Sequence, residues 1–484
     1  MKMKKTWFSY PLWLFYAVMT GMLLAVYLSA VSIQVWHLNQ YMSAALVAVI
    51  FGTVGGVWFG GRKIEGYLKE RFGADKHLAN MWECFLVLGL TAAALLYRFR
   101  LLLHSDGVVE AGEWFEMATV KAGTQIPAIA HGASAIYTRF LSMILSFTGN
   151  KIIAGVGLQL FLEIVVILVL YFAVRKLTGR IEAVCVMATM TFAQGFCQEM
   201  FRLTPEVFYL LLFALGILLI GVCSGRNMLL GWMLTGVYIG WMGYLDPAGW
   251  VLLLLGAWVC IHKSAMTETG IWKCCQNSVI MFGTALAVMF VLCGVYALCT
   301  GQAIGNVLYV WLKNWMNGSG SGINFPTGPD SEPLIGILVC FFAALAVVAF
   351  WFQKKQKQDG WILVLIVFTV CDMLGVGALQ YECFLTAIWG VMAGIGVTSM
   401  RMEDADTIGV SETEKISDTM RQSDADTSSK RKVLLQELVV EEITLEDEKP
   451  KVQFIENPLP LPKKHVKKEM DFDHAVDEND DFDF

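Results

Sequence analysis

The sequence predicts an all-α, polytopic membrane helix bundle, and three observations carry that prediction. Hydrophobic residues make up 56% of the 484 positions, and the mean hydropathy is +0.57, more apolar material than the core of a soluble domain can absorb. Apolar runs recur along the first 400 residues at lengths near the roughly 20 residues that a helix needs to cross a hydrocarbon layer. Finally, charge is partitioned. Residues 401–484 hold 12 Lys/Arg against 23 Asp/Glu, a net −11, so the overall −6 conceals a body of +5.

About twelve segments satisfy the spanning rule, at 11–31, 42–60, 80–103, 151–174, 181–197, 206–224, 229–245, 247–262, 278–299, 334–352, 361–379 and 383–400. The fifth, seventh and eighth are short. MKMKK leads directly into the first run without a small-residue cleavage site, so that run reads as a span and not as a removable signal. Basic loops stay on the cytoplasmic side. Lys2, Lys4 and Lys5 precede the first span, and clusters such as Arg62/Lys63, Arg175/Lys176/Arg180 and Lys354/Lys355/Lys357 follow even-numbered ones. The loops between are poor in cations, which places both termini in the cytoplasm and loop 104–150 outside. Most of the twelve cysteines fall within apolar runs and none forms a CxxC pair, so neither a disulfide framework nor a zinc site is expected.

Loop 104–150 is too long for a turn. AGEWFEMATVKAG alternates acids with Trp114, Phe115, Met117 and Val120, and SAIYTRFLSMILSF sets Ile136, Phe140, Met143, Ile144 and Phe147 at helical spacing. Two short amphipathic helices lying in the interface are the expectation. Loop 300–333 opens with aromatics in VLYVWLKNWMN, suited to an interfacial belt, and continues as GSGSGINFPTGPDSEP, read as a flexible outer segment. Beyond residue 400 the apolar runs stop, and 401–484 reads as an acidic, disordered cytoplasmic tail. Within it KRKVLLQELVVEEI, ENPLPLPKKHVKK and DENDDFDF read either as short motifs for a cytoplasmic protein partner, over 433–484, or as solvated spacer. Glycine pairs Gly52/Gly56 and Gly390/Gly394 permit close helix packing. No internal repeat joins the two halves.

Charged side chains are costly at membrane depth and so mark candidate sites. Arg98 and Arg100 close the third span just before His104 and Asp106. Two guanidinium groups beside a carboxylate suit a lipid phosphate and a proton acceptor, or else both arginines snorkel to headgroups. In QEMFRLTPEVF, Arg202 and Glu206 flank Pro205 at the outer entry to the sixth span, and Asp246 in GYLDPAGW lies on the same side. Glu163 and Asp372 fall within spans, where pairing inside the bundle competes with a substrate path.

These features together resemble the GT-C glycosyltransferases, in the bacterial branch that includes protein mannosyltransferases and the lipid A aminoarabinose transferase. The resemblance covers roughly residues 95 to 260: a polar first outer loop with an early Asp and amphipathic helices, a later loop ending RKLTGR, then an outer Arg followed by Pro-Glu and an apolar run. It implies transfer of a sugar from a polyprenyl-phosphate carrier to a hydroxyl or amine acceptor outside a bacterial plasma membrane. The family's loop acid falls best on Asp106, with Glu110 and Glu113 as rivals. Arg98, Arg100, His131, Arg202, Glu206 and Asp246 become the substrate-binding candidates, although His131 is followed by Gly132 where the family often has proline. The absence of a large outer domain after the last span argues against an oligosaccharyltransferase-like member. No cofactor is required. Asp106 and Glu110 have the chemistry to share a divalent metal, but their spacing does not demand one. Lipid-linked donor, membrane lipid and an acceptor are the expected partners, with no nucleic acid. A transporter or lipid flippase, and a non-catalytic anchor acting through its tail, are the competing expectations.

Overall fold

The computed structural model describes residues 9–34, 36–37, 39–72, 76–104, 113–119, 133–226, 229–266, 271–316, 333–352, 359–374 and 379–400. The expectations for the tail and for the Gly/Ser/Pro-rich half of loop 300–333 lie outside those residues. Among the described residues all regular structure is helical. The order is α1 (Ser9–Gln34), α2 (Gln40–Phe72), α3 (Lys76–His104), α4 (Glu113–Thr119), α5 (Ala133–Thr148), α6 (Ile152–Leu177), α7 (Arg180–Phe192), α8 (Gln194–Arg202), α9 (Glu206–Arg226) and α10 (Leu229–Leu245). A 3-10 turn at Pro247–Trp250 follows, then α11 (Val251–Met266), α12 (Ile271–Thr300), α13 (Ile304–Met316), α14 (Pro333–Phe352), α15 (Asp359–Met373) and α16 (Glu382–Thr398).

Seven of these helices are long and apolar enough to cross a membrane: α1, α2, α3, α6, α9, α12 and α14. The other expected spans also carry helices, but α10, the turn with α11, and α16 are shorter apolar elements, and the segment 181–197 is not one helix. It breaks at Ala193, whose φ of −67° and ψ of 112° end α7 and restart the chain as α8.

Glycine explains how the short helices are accommodated. In α16 every residue from Cys383 to Gly396 is buried, so this helix is a central strut that meets no lipid over that stretch. A Cβ on Gly394 would lie 2.4 Å from the Glu182 Cα in α7, and one on Gly396 would lie 1.8 Å from the Phe342 carbonyl in α14. Backbone meets backbone on two sides, which only hydrogen at Cα permits. By contrast, Gly52 and Gly56 on α2 have nothing within 4 Å. Of the two glycine pairs, one packs internally and one lies open.

The interior is aromatic and tightly filled. Trp13 stacks on Phe350 at 4.9 Å, and its Nε1 donates to Asp359 at the head of α15 at 2.8 Å. A void of about 10 Å3 between α6, α7, α9, α15 and α16 is lined by side chains such as Phe213, Trp361 and Phe384 and presents no polar surface. It has volume for about one water but nothing to hydrogen-bond it.

Helix α3 is held differently, because it turns most of its apolar surface outward, Leu88 and Leu96 among it. Polar pins fix it instead. Toward one end Glu83 accepts from Tyr171 and pairs with Arg175 at 2.9 Å and Arg180 at 3.5 Å; toward the other, Arg98 reaches α6.

Two short helices, α4 and α5, form in loop 104–150, as expected. In α5 the buried face is Ser134, Tyr137, Thr138, Leu141 and Leu145, while of the predicted stripe Phe140, Met143 and Phe147 are exposed and Ile136 and Ile144 are half-buried, Ile144 against the core. The exposed apolar stripe suits lipid and the more polar face meets protein, the reverse of a soluble helix. Likewise α13 buries Val307 and exposes Ile304, Tyr309 and Val310, and its Trp311 Nε1 donates to the Tyr244 carbonyl at 3.3 Å.

Candidate functional site

A helix that stops leaves its last carbonyls without intrahelical donors, and in a dry interior some other group must supply them. At the end of α7 that group is Arg98. It is fully buried, donates Nε to Glu163 Oε2 at 2.6 Å, and extends its two terminal nitrogens to the carbonyls of Thr191 and Met190, each at 3.4 Å. The guanidinium also lies 5.3 Å from the Phe196 ring centroid. Only a planar fork can serve a carboxylate and two carbonyls together. The structure therefore places Arg98 within the bundle, where it bonds α3 to α6 and caps α7. Arg100, two residues on and so about 200° around the helix, is exposed. The two arginines do not face one ligand. Glu163 follows the conservative expectation of pairing inside the bundle, and its Oε1 has no hydrogen-bond partner.

A second constellation forms where α8 ends. Leu203 takes up the left-handed conformation, φ 54°, and its N–H closes on the Glu199 carbonyl at 3.2 Å. For a side-chain-bearing residue this costs roughly 1–2 kcal/mol. Packing holds it, because Leu203 is buried beside Gly155, where a Cβ would come within 3.2 Å of it. The turn brings Arg202 and Thr204 onto the two oxygens of one carboxylate, that of Glu199. Arg202 is about half exposed and touches Glu199 at 3.2 Å, whereas Thr204 donates its hydroxyl to the other Glu199 oxygen. Glu206 then opens α9 with a buried carboxylate. Its Oε1 receives the Gln380 N–H at 3.5 Å, and its Oε2 has no hydrogen-bond partner.

The outer-loop helix α5 is seated on this turn. Tyr137 donates to Gln159 Oε1 at 2.9 Å, and Gln159 Nε2 donates to the Thr204 carbonyl at 3.1 Å. Phe208, two residues into α9, meets the rings of Tyr137 and Phe140 at 6.3 and 6.2 Å. Burial first, and then the charges of Glu206 and Glu199, push the Tyr137 phenol well above its ordinary value, so it remains a hydrogen-bond donor at any working pH.

Asp246 has a separate task. It is buried and caps the 3-10 turn, its Oδ1 accepting from the Ala248 N–H at 2.9 Å and from the Tyr381 hydroxyl at 3.1 Å. Tyr209 donates to the Asp246 carbonyl at 3.0 Å. These bonds tie the α10–α11 corner to α9 and to the start of α16.

Of the predicted site residues, the structure sets Arg202 and Glu206 on either side of the turn that Gln159 ties to α5, commits Arg98 and Asp246 to internal bonds, and leaves Arg100 exposed at the end of α3. Asp106, Glu110 and His131 lie outside the described residues, as does the side chain of Glu113 at the start of α4. Among the described residues no group of three or more His, Cys, Asp or Glu is placed to hold a metal ion. Sequence reasoning missed Tyr137, Gln159, Glu199 and Thr204. One signal was present, since Gln159 and Glu163 are polar positions four apart on one face of an apolar span.

No family model matches the chain, and no curated protein matches it. Among solved structures, the archaeal oligosaccharyltransferase AglB from Archaeoglobus fulgidus, in complex with an inhibitory peptide and a dolichol-phosphate, is similar with a TM-score of 0.43 and 10% sequence identity. The match covers 66% of this chain and 50% of that one, so the chain spans about half the length of the structure it resembles.

Proposed function

We propose that this chain is a membrane glycosyltransferase that moves a sugar from a polyprenyl-phosphate carrier to an acceptor at the outer face of a bacterial plasma membrane, with both termini and the acidic tail cytoplasmic. One observation carries the reading: α5, part of the loop that bears Asp106, is hydrogen-bonded through Gln159 to the turn that presents Arg202 and Glu206. The described part of that loop and the half-exposed Arg202 guanidinium, far apart in sequence, are thereby linked through α6, and this link supports the reading.

In the proposed reaction Asp106, with Glu110 and Glu113 as rivals, takes the proton from the acceptor hydroxyl. The freed oxygen attacks the anomeric carbon, the bond from that carbon to the carrier's phosphate oxygen breaks, and the phosphate leaves with the electron pair beside Arg202. Stabilising that developing charge is the kind of contribution that dominates such barriers. Arg100, exposed near Asp106 in sequence, is the second cation available. Glu206 is buried at the head of α9, its Oε2 without a hydrogen-bond partner. No metal enters the scheme.

Purified protein in nanodiscs, supplied with a radiolabelled polyprenyl-phosphate sugar, tests it. Asp106→Asn should abolish transfer with the protein still folded, and Arg202→Ala should raise KM for the lipid-linked donor. Undiminished turnover in Asp106→Asn rejects the assignment. The interrupted α7–α8 segment, with a buried Arg98–Glu163 pair at its break, favours a second reading as a transporter or flippase, since broken helices with ionisable groups at depth suit a translocation path. Flux into liposomes without a covalent product would decide for it.

A further inference from the structure

Gln159 is the one side chain described above that bonds to both α5 and the turn after α8. It is fully buried on α6, and both ends of its amide are used, the oxygen by Tyr137 and the nitrogen by the Thr204 carbonyl. One turn earlier on the same helix, Gly155 gives room to Leu203, the strained residue between Arg202 and Thr204. The same stretch of α6 therefore shapes the turn twice, once by an absent side chain and once by an amide.

An amide suits this position better than any other side chain. Tyr137 donates to the Gln159 oxygen, and the Thr204 carbonyl, which can only accept, takes the Gln159 N–H. A bridge between them must accept at one end and donate at the other across a single rigid plane. Leucine has the size but neither function. A hydroxyl is too short to meet both. We infer that Gln159 is a positioning residue that locks loop helix α5 to the Arg202–Glu206 turn, so that α5 and the arginine proposed to meet the phosphate keep a fixed separation. This deepens the transferase reading and rests on it for its consequence, but the coupling itself is observable without any transfer.

The test is hydrogen exchange on the full chain in nanodiscs. Gln159→Leu should speed exchange of α5 amides by about tenfold, as loss of a buried hydrogen-bond bridge implies, and should also speed exchange at residues 203–206. Tyr137→Phe should speed α5 alone. Adding Tyr137→Phe to Gln159→Leu should change α5 no further, because both remove the same link. Trp13→Phe removes a bond of similar kind at the far end of α15 and should leave both regions unchanged. In parallel, undecaprenyl phosphate serves as the probe, and its Kd should weaken about tenfold in Gln159→Leu and stay at the wild-type value in Trp13→Phe.

Unchanged α5 exchange in Gln159→Leu, or additive effects of the two substitutions, overturns the inference. So does probe binding that Gln159→Leu leaves intact. If the exchange pattern and the probe effect appear while the wild type transfers no sugar, the coupling stands and the transferase reading falls, so the two failures are distinguishable.

Discussion

Arg98 offers the severest test of the fold, because its surroundings let the cost of removing it be worked out. Arg98→Met preserves length and some bulk but leaves Glu163 without its cation at a position with no solvent exposure on either side chain. Removing one partner of a buried ion pair costs about 3–5 kcal/mol, and the Met190 and Thr191 carbonyls lose their donors in the same stroke. A loss near 4 kcal/mol corresponds to roughly a thousandfold fall in the folded-to-unfolded ratio. In the double variant Arg98→Met/Glu163→Leu no buried charge remains, and replacing both partners with apolar groups is often close to neutral. The two carbonyls stay unserved at about 1 kcal/mol each, so the double variant should recover about half of the loss. Arg98→Lys should fall between wild type and Arg98→Met, since a compact ammonium cannot reach Glu163 and both carbonyls at once. Denaturant titration in detergent, followed by tryptophan fluorescence, measures the series. An Arg98→Met midpoint equal to the wild type, or a double variant weaker than the single, would refute the assignment of Arg98 as a buried cap.

Two further contrasts follow from the packing and capping. Gly394→Val should destabilise by about 3 kcal/mol or more, because its Cβ would press on the Glu182 backbone, while Gly56→Ala should be neutral or stabilising by up to ~1 kcal/mol, with nothing within 4 Å to meet it; thermal aggregation midpoints after purification compare them. Asp246→Asn keeps an oxygen for Ala248 and Tyr381 and should leave both stability and transfer near wild type. Asp246→Ala loses the cap and the acceptor together, for a cost of about 2 kcal/mol. If Asp246→Asn instead removes transfer while the melting midpoint holds, Asp246 contacts ligand.

The helical class was legible because apolar runs announce themselves, and every expected span carries a helix. Their number as crossings was not, and the reason is local. Nothing in TFAQG breaks a helix, for it has no proline and its glycine comes after the break. At the interruption the freed carbonyls are served by Arg98, a residue far away in sequence. Helix α16 shows a different limit. Its apolar composition matches a span, yet its glycines bury it among α7 and α14 instead of presenting it to lipid. In α5 both faces carry apolar residues, so periodicity marked the helix without saying which side met protein. Tyr137 and Leu141 decide that through their partners, and partners are not written in a single chain's pattern.

The site shows the same limit, and it turns on energy. Arg98 and Arg202 are equivalent in sequence, each a cation near the outer end of an apolar segment and each a candidate for a lipid phosphate. Burial separates them. Arg98 is committed to Glu163 without water, and taking it away for a ligand would strand a carboxylate at a cost of several kcal/mol. Arg202 is half exposed, and its contact with Glu199 at 3.2 Å is of the kind that contributes at most about 1 kcal/mol. Glu199 would not be left alone if Arg202 turned away, because Thr204 still donates to its other oxygen. An incoming phosphate can therefore exchange with Glu199 for the Arg202 guanidinium at little expense. Glu206, at the head of the next helix, differs again, for its carboxylate is buried and one of its oxygens has no hydrogen-bond partner.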